Sequence, residues 1–377
     1  MILNEEQTMI RDMARDFAAN RLAPNSAAWE QAAAIPKEVF DEMGALGLMG
    51  MTIPDNYGGA ETDFVSYALA LTEIAGGDGA VSTVMSVNNS PCCAALLKDG
   101  TEAQKQEFLV PLAKGQMIGA FCLTEPHAGS DASALKTKAV KDGGEYVING
   151  TKQFITSGKI GGIALVFAVT DVDAGKRGIS CFIVPTDSDG YRVTSVENKL
   201  GQKASDTCQI DFENVRVSAE NMLGAEGAGY KIALANLETG RIGIGAQSVG
   251  MAQAALNHAI DYAKERVTFD KPIIEHQAVG FRLADMATKV EVARQMVLHA
   301  ATLKDAGLPC LTEASMAKLF ASEMAEEVCS AAIQTLGGNG FIADYPVEKI
   351  YRDVRVCQIY EGTSDIQKLV IARNLAA

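Results

Sequence analysis

Several things are scarce in this chain of 377 residues, and each scarcity excludes something. Aromatic residues make up only 6%, which argues against an all-β shell and for close-packed helices rich in alanine and glycine. Histidine occurs at 127, 258, 276 and 299 alone, without metal-ligand spacing. The eight cysteines (92, 93, 122, 181, 208, 310, 329 and 357) form no C-x-x-C pair and sit mostly in apolar surroundings. Buried free thiols in a reducing compartment are the expectation. No stretch approaches roughly 18 apolar residues free of charge and glycine, so no spanning helix is expected. Positive charge is short, 33 Lys and Arg against 47 Asp and Glu, and no basic cluster offsets the net charge of -14. Such a chain repels nucleic acid and anionic membranes, and an anionic ligand must be held by a few placed groups. The acidic start, residues 1–6, lacks signal-peptide shape, so a bacterial cytoplasm, or an organelle matrix after processing, is expected. No G-x-G-x-x-G opens a helix after a strand, which removes the Rossmann way of holding a dinucleotide.

What is present falls into three stretches. Residues 1–117 read as helical. Asn4 or Thr8 starts a helix whose apolar face is Ile10, Met13, Ala14 and Phe17, and further helices fit 37–48, 63–74 and 81–97. Thr101 to Gln104 has capping-box form and opens another, ending near Pro111 or Gly115. Residues 118–225 change to short β-rich runs at 146–152, 163–169, 179–184, 191–196 and 208–212. The first leads into an Asn149-Gly150 turn, and the set predicts an antiparallel barrel or sandwich. Residues 226–377 return to long helices, 230–266, 277–304 and 312–336, with a last one at 365–374. The first carries Gly240, Gly243, Gly245 and Gly250, which suit close helix contact. Helix, sheet, helix is an α+β order, not the alternating βαβ of a doubly wound fold.

Three stretches carry chemistry. Near the end, Ile359-Tyr360 delivers Glu361 to a turn made flexible by Gly362, and Thr363 or Ser364 caps the helix that follows. A carboxylate beside apolar groups is easily desolvated, which raises its pKa toward that of a general base. On these residues alone a general base and an exposed loop glutamate are equally compatible. Residues 121–131 begin as a strand and end as a loop with Thr124, Gly129 and Ser130, able to hydrogen-bond a planar heterocycle or simply to turn. In 150–158, Phe154 and Thr156 stand two residues apart on a strand and share a face. A ring stacked on Phe154 with its edge on Thr156 fits, as does a half-buried sheet aromatic.

Taken together, four motifs in order resemble the acyl-CoA dehydrogenase family, most closely its short- and medium-chain members. They are Leu123-Thr124-Glu125-Pro126 with Gly129-Ser130-Asp131, Gly150 with Phe154-Ile155-Thr156, Gln334 to Gly340, and Tyr360-Glu361-Gly362-Thr363-Ser364. The resemblance covers essentially the full length. It implies an N-terminal helical domain (1–117), a central β domain (118–225) and a C-terminal four-helix bundle (226–377), with a noncovalent FAD. Phe121, Leu123, Thr124, Ser130, Phe154 and Thr156 match residues around the flavin ring. Arg266, Phe269, Gln277, Gln334 and Gly338 match those on the adenine and pyrophosphate end, usually across a subunit contact. Thr363 and Asp365 complete the cofactor set. Glu361 is implied as the catalytic base of α,β-dehydrogenation, with Ser130, Glu238, Arg241, Tyr360 and Gly362 on the acyl-CoA side. An ion pair between Glu238 and Arg241 is the rival reading for those two. The resemblance further implies an electron-transfer flavoprotein as acceptor, a homotetramer, and a place in fatty-acid or amino-acid catabolism. Two departures stand out. Phe154 replaces a common tryptophan, and Asp270 replaces a usual glycine, where a carboxylate must point to solvent to avoid a pyrophosphate. Some relatives carry the base on the long helix instead; Gly240 fills that place here, which leaves Glu361.

Overall fold

The computed structural model describes residues 2–376. Asn4 caps the first helix, Glu5–Phe17, through a capping box. The Gln7 N–H donates to Asn4 Oδ1 at 2.8 Å, and the Asn4 N–H donates to Gln7 Oε1 at 3.2 Å. The helices Phe64–Gly77 and Gly79–Val87 each start on an aspartate cap, Asp63 and Asp78. The expected helix over 81–97 is interrupted. Ser90 is extended (φ -146°, ψ 112°) and Pro91 follows it. Proline lacks an N–H and biases the residue before it away from helix, so helix resumes only at Ala94–Asp99.

Eight strands follow: β1 Gly119–Cys122, β2 Lys138–Asp142, β3 Glu145–Thr156, β4 Ile163–Val169, β5 Ile179–Pro185, β6 Tyr191–Val196, β7 Thr207–Ser218 and β8 Met222–Leu223. Their order is β6-β7-β3-β2-β4-β5-β8, with β1 also on β4. Pairing is antiparallel except for β1 on β4 and a single bridge between β2 and β4. The central strands β4 and β5 read as continuous apolar runs because both their faces are covered. Ile163, Leu165 and Phe167 pack toward the helices with Leu96, Leu109 and Ile232, while Ala164, Val166 and Ala168 pack inside the sheet with Ile148, Ile210 and Phe212. The expected Asn149-Gly150 turn is instead a register shift inside β3. Glycine is needed there because a Cβ would lie 2.4 Å from Thr137 Oγ1.

The helices Gly229–Glu265, Gln277–Asp305 and Leu311–Leu336 form the rest, closed by Ser364–Leu375. Their core is continuous with that of the N-terminal helices: Leu71, Ile74 and Val84 share one cluster with Ile242, Val249, Val297 and Val328. The glycines of the long helix permit this. A Cβ on Gly250 would sit 2.0 Å from the Thr72 carbonyl oxygen. A helix absent from the sequence reading, Val347–Val354, presents Val347 and Val354 to that core.

Candidate active site

Where helix bundle, N-terminal helices and sheet meet, a cleft opens. Phe121, Leu123, Thr124, Phe154, Ile155 and Thr156 line its sheet side, while Leu237, Ile244, Gln247, Tyr360 and Glu361 line its bundle side, with Thr83, Ser86, Val87 and Pro91 below. Phe154 reaches the cleft because β3 loses register between Lys152 and Ile155, with Phe154 at φ 58°. That bulge leaves the ring 63% exposed, which is unusual for phenylalanine and leaves a flat apolar surface free.

Glu361 lines the bundle side of the same cleft. A short turn, Arg355–Gln358, ends in Tyr360, whose N–H donates to the Val356 carbonyl at 3.1 Å. Glu361 then adopts φ 56° and Gly362 φ 89°. A left-handed glutamate costs on the order of 1–3 kcal/mol and persists only if the surroundings hold it. At Gly362 the positive φ favours glycine, and a Cβ would also come within 2.8 Å of Gln367 Nε2. The residue as a whole is half-buried, yet its Oε2 is buried and makes no hydrogen bond. Burial pushes the carboxyl up to about 7, against the opposing pull of Lys318 and Arg241. A Cβ on Gly240 would fall 2.4 Å from this Oε2, so the long helix leaves room for the carboxylate by having no side chain there.

The loop holding Leu123 and Thr124 is fixed by a second buried carboxylate, Glu125. It accepts from the Lys136 N–H at 2.7 Å, the Thr137 N–H at 3.0 Å and Lys152 Nζ at 2.8 Å; Lys152 also reaches the Leu123 carbonyl at 3.0 Å. Burial works to raise Glu125, but Lys152 and these donors outweigh it and hold the carboxyl below its ordinary range. On the opposite wall Tyr360 OH donates to Gln247 Oε1 at 3.0 Å, and Gln247 Nε2 donates to Ser82 at 2.8 Å and Thr83 at 3.0 Å. Sequence alone assigns no role to Glu125, Lys152, Gln247 or Lys318, although a lysine in a helix stripe of small residues, as at Lys318, is a visible signal of a buried partner.

The remaining expected residues divide by location. Ser130 is exposed on the loop beyond Leu123, outside the cleft. Arg241 is buried on the long helix, with Nη1 donating to Ser315 Oγ at 3.3 Å and Nε without a partner. Glu238 takes a weak bond from Cys310 Sγ at 3.7 Å, and among the described residues no ion pair joins it to Arg241. Thr363 caps the last helix by accepting from the Ile366 N–H at 3.3 Å, and Asp365 is exposed in its first turn. Arg266, Phe269, Gln277, Gln334 and Gly338 are all exposed. They gather at one end of the bundle, where one long helix stops, the next begins and the third returns. Bonds from Asn339 to Tyr262 (3.0 Å) and from Arg282 to Thr335 (3.4 Å) tie that end together. Asp270 lies there at the apex of a two-residue hairpin, exposed at φ 63°, like the neighbouring residues of that end.

Known proteins share this arrangement. The family models for the acyl-CoA dehydrogenase N-terminal, middle and C-terminal domains match residues 4–116, 120–215 and 227–376. The chain belongs to the acyl-CoA dehydrogenase family. It is 48% identical over 375 residues to an acyl-CoA dehydrogenase of Bacillus subtilis (strain 168), covering 100% of this chain and 99% of that one. Among solved structures, butyryl-CoA dehydrogenase from Megasphaera elsdenii superposes with a TM-score of 0.98 at 41% identity, covering 100% of both chains. A structure from work on the electron transferring flavoprotein of Acidaminococcus fermentans has a TM-score of 0.98 at 45% identity, covering 100% of this chain and 99% of that one. Members of the family are FAD-dependent oxidoreductases of fatty-acid β-oxidation, and the chain is also 44% identical over 373 residues to a short-chain specific acyl-CoA dehydrogenase of Clostridium acetobutylicum, covering 99% of this chain and 98% of that one.

Proposed function

We propose that the cleft desaturates a short acyl-CoA thioester between Cα and Cβ, with Glu361 as the base that takes the α-proton. The observation that carries this is the buried, unpartnered Oε2 of Glu361, a residue that lines the same cleft as the exposed ring of Phe154. The residues present fit a flavin: an exposed aromatic face, the Thr124 and Thr156 hydroxyls at its edge, and a loop pinned by Glu125. FAD held against Phe121, Leu123, Thr124, Phe154 and Thr156 supplies the acceptor for the β-hydride. Thr363, Asp365 and Ser130 belong to the periphery of the same site. Arg266, Phe269, Gln277, Gln334 and Gly338 hold its far end under a second copy of the chain, in a homotetramer, with a guanidinium suited to a bidentate grip on phosphate.

The protein's own part is to lower the cost of removing a weakly acidic proton. Glu361 without a hydrogen bond is a stronger base than a solvated carboxylate, and its pKa lies close to neutral. Its backbone N–H donates to the thioester oxygen and stabilises the charge that develops there. Leu237, Ile244 and Val87 exclude water, which strengthens both interactions. Tyr360 and Gly362 frame the base, and Glu238 and Arg241 lie toward the CoA entry. The polar floor of Thr83, Ser86 and Gln247, tied to Tyr360, does not welcome a long alkyl tail, which supports a short substrate. An electron-transfer flavoprotein would be the acceptor for the bound flavin, in a bacterial cytoplasm or mitochondrial matrix.

The test is Glu361→Gln under anaerobic addition of butyryl-CoA. Flavin should stay bound while its bleaching slows by about 10²–10⁴-fold, the range of a lost general base. Near-normal bleaching excludes the assignment. Peroxide formed in air at the turnover rate would show an oxidase instead.

A further inference from the structure

The helix Leu311–Leu336 packs a stripe of small residues inward: Ala314, Ser315, Ala317, Ala321 and Ser322. Lys318 stands in that stripe with no exposure at all. A buried ammonium is retained only where something is gained from it. Its Nζ donates not to a carboxylate but to the backbone carbonyl of Gly362, at 2.6 Å. The same oxygen accepts from Gln367 Nε2 at 2.9 Å, and the Glu361 carbonyl accepts from that amide at 3.2 Å. These two carbonyls belong to the two left-handed residues, Glu361 and Gly362. Fixing both oxygens fixes ψ of Glu361 and both torsions of Gly362. The direction in which the Glu361 side chain leaves the backbone follows from them.

We propose that Lys318 is a positioning residue: with Gln367 it clamps the Glu361-Gly362 turn in the conformation that aims the carboxyl into the cleft. This rests on the reading of Glu361 as the base. An electrostatic consequence accompanies the geometry. The charged groups facing Glu361 are Lys318 on one helix and Arg241 on another, and both pull its pKa down against burial. The Tyr67 phenol and the Cys92 thiol also sense Glu361, but burial keeps both protonated and uncharged. Removing one of two cations therefore raises the Glu361 midpoint, while arginine at 318 preserves it.

The experiment is anaerobic flavin reduction by butyryl-CoA across pH in the holoenzyme, comparing wild type, Lys318→Met, Lys318→Arg and Glu361→Gln. Lys318→Met should keep its flavin and a similar half-saturating concentration. Its reduction rate should fall about 100-fold, the scale of a catalytic group displaced by about 1 Å, and its pH midpoint should move alkaline. Lys318→Arg should restore the midpoint and part of the rate. A Lys318→Met enzyme with wild-type rate and an unmoved midpoint overturns the proposal. Should that variant fail to fold or to hold flavin, Gln367→Leu decides. It removes the second donor without stranding a charge; slow reduction with full flavin supports the clamp, and a wild-type rate overturns it. Glu361→Gln separates the two readings. If it is slow while Lys318→Met is not, only the clamp fails; if it is fast, the base assignment fails first.

Discussion

Two glutamates with buried carboxyl oxygens, Glu361 in the wall of the cleft and Glu125 behind the Leu123-Thr124 loop of its sheet side, have opposite chemistry. Glu125 has Lys152 and two backbone N–H groups on its oxygens, and its carboxyl is held down. Glu361 has an oxygen with no donor, and its carboxyl is pushed up to about 7. Burial is common to both, so burial alone does not raise a carboxyl. The difference is the supply of donors: a satisfied carboxylate is a structural anchor, and an unsatisfied one keeps its lone pairs for a proton. The backbone shows the same division. Glu125 sits in a loop closed by its own hydrogen bonds to Ala128, whereas Glu361 is held in a left-handed turn by groups from other helices.

The comparison breaks most visibly through stability. Lys152→Met strands the Glu125 charge in the interior, and removing one partner of a buried pair costs about 3–5 kcal/mol. Denaturant unfolding should show that loss together with reduced flavin binding, because the Leu123-Thr124 loop loses its tether. Glu361→Gln should unfold no more easily than wild type, since no partner is stranded. Equal losses in the two variants would mean that Glu361 is also an anchor.

A smaller effect, on rate rather than stability, should come from Gly240→Ala. The new methyl would sit 2.4 Å from Glu361 Oε2, a contact relieved most cheaply by moving the carboxylate, not the helices. The fold should hold while anaerobic flavin bleaching slows by about 100-fold. The equivalent change at Gly245, where a Cβ would meet Val297 at 2.8 Å, should perturb packing and leave the chemistry alone. If the two behave alike, the space at Gly240 has no special link to the proposed role of Glu361.

Much of this was legible before any coordinates. The turn at Glu361-Gly362 and the Thr363 cap are readable from local turn chemistry, and the shared side of Phe154 and Thr156 from their spacing, but the bulge that exposes Phe154 is not. Residue contacts far apart in sequence were not. Nothing near Lys318 announces that it will meet Gly362, 44 residues away. Lys152 gives no local hint of Glu125, and Gln247 none of Tyr360. Local rules also misled where one residue overrode its neighbours. Asn149-Gly150 has the composition of a hairpin turn, but a partner strand on each side turns it into a bulge within β3. The run 81–97 has helical periodicity throughout, and Pro91 alone breaks it. Exposure of the Arg266 and Phe269 end also lies beyond local reading, since its cover is proposed to come from another chain.

The finest separation of the two glutamates is in how each biases stability with pH. A raised carboxyl binds its proton more tightly folded than unfolded. Between the unfolded value near 4.5 and about 7, the folded chain therefore carries the extra proton, and the Glu361 contribution to stability falls as pH rises through that window. Glu125 runs the other way. Its carboxyl is lowered by folding, so its contribution is present above the unfolded value and is lost as pH falls through the folded one. Thermal melting of wild type, Glu361→Gln and Glu125→Gln should show this as opposite changes of slope. Glu361→Gln should flatten the decline between about 4.5 and about 7, and Glu125→Gln should remove part of the acid loss below it. Parallel curves for all three would mean that the donors around Glu125 and their lack at Glu361 do not set the protonation of either group.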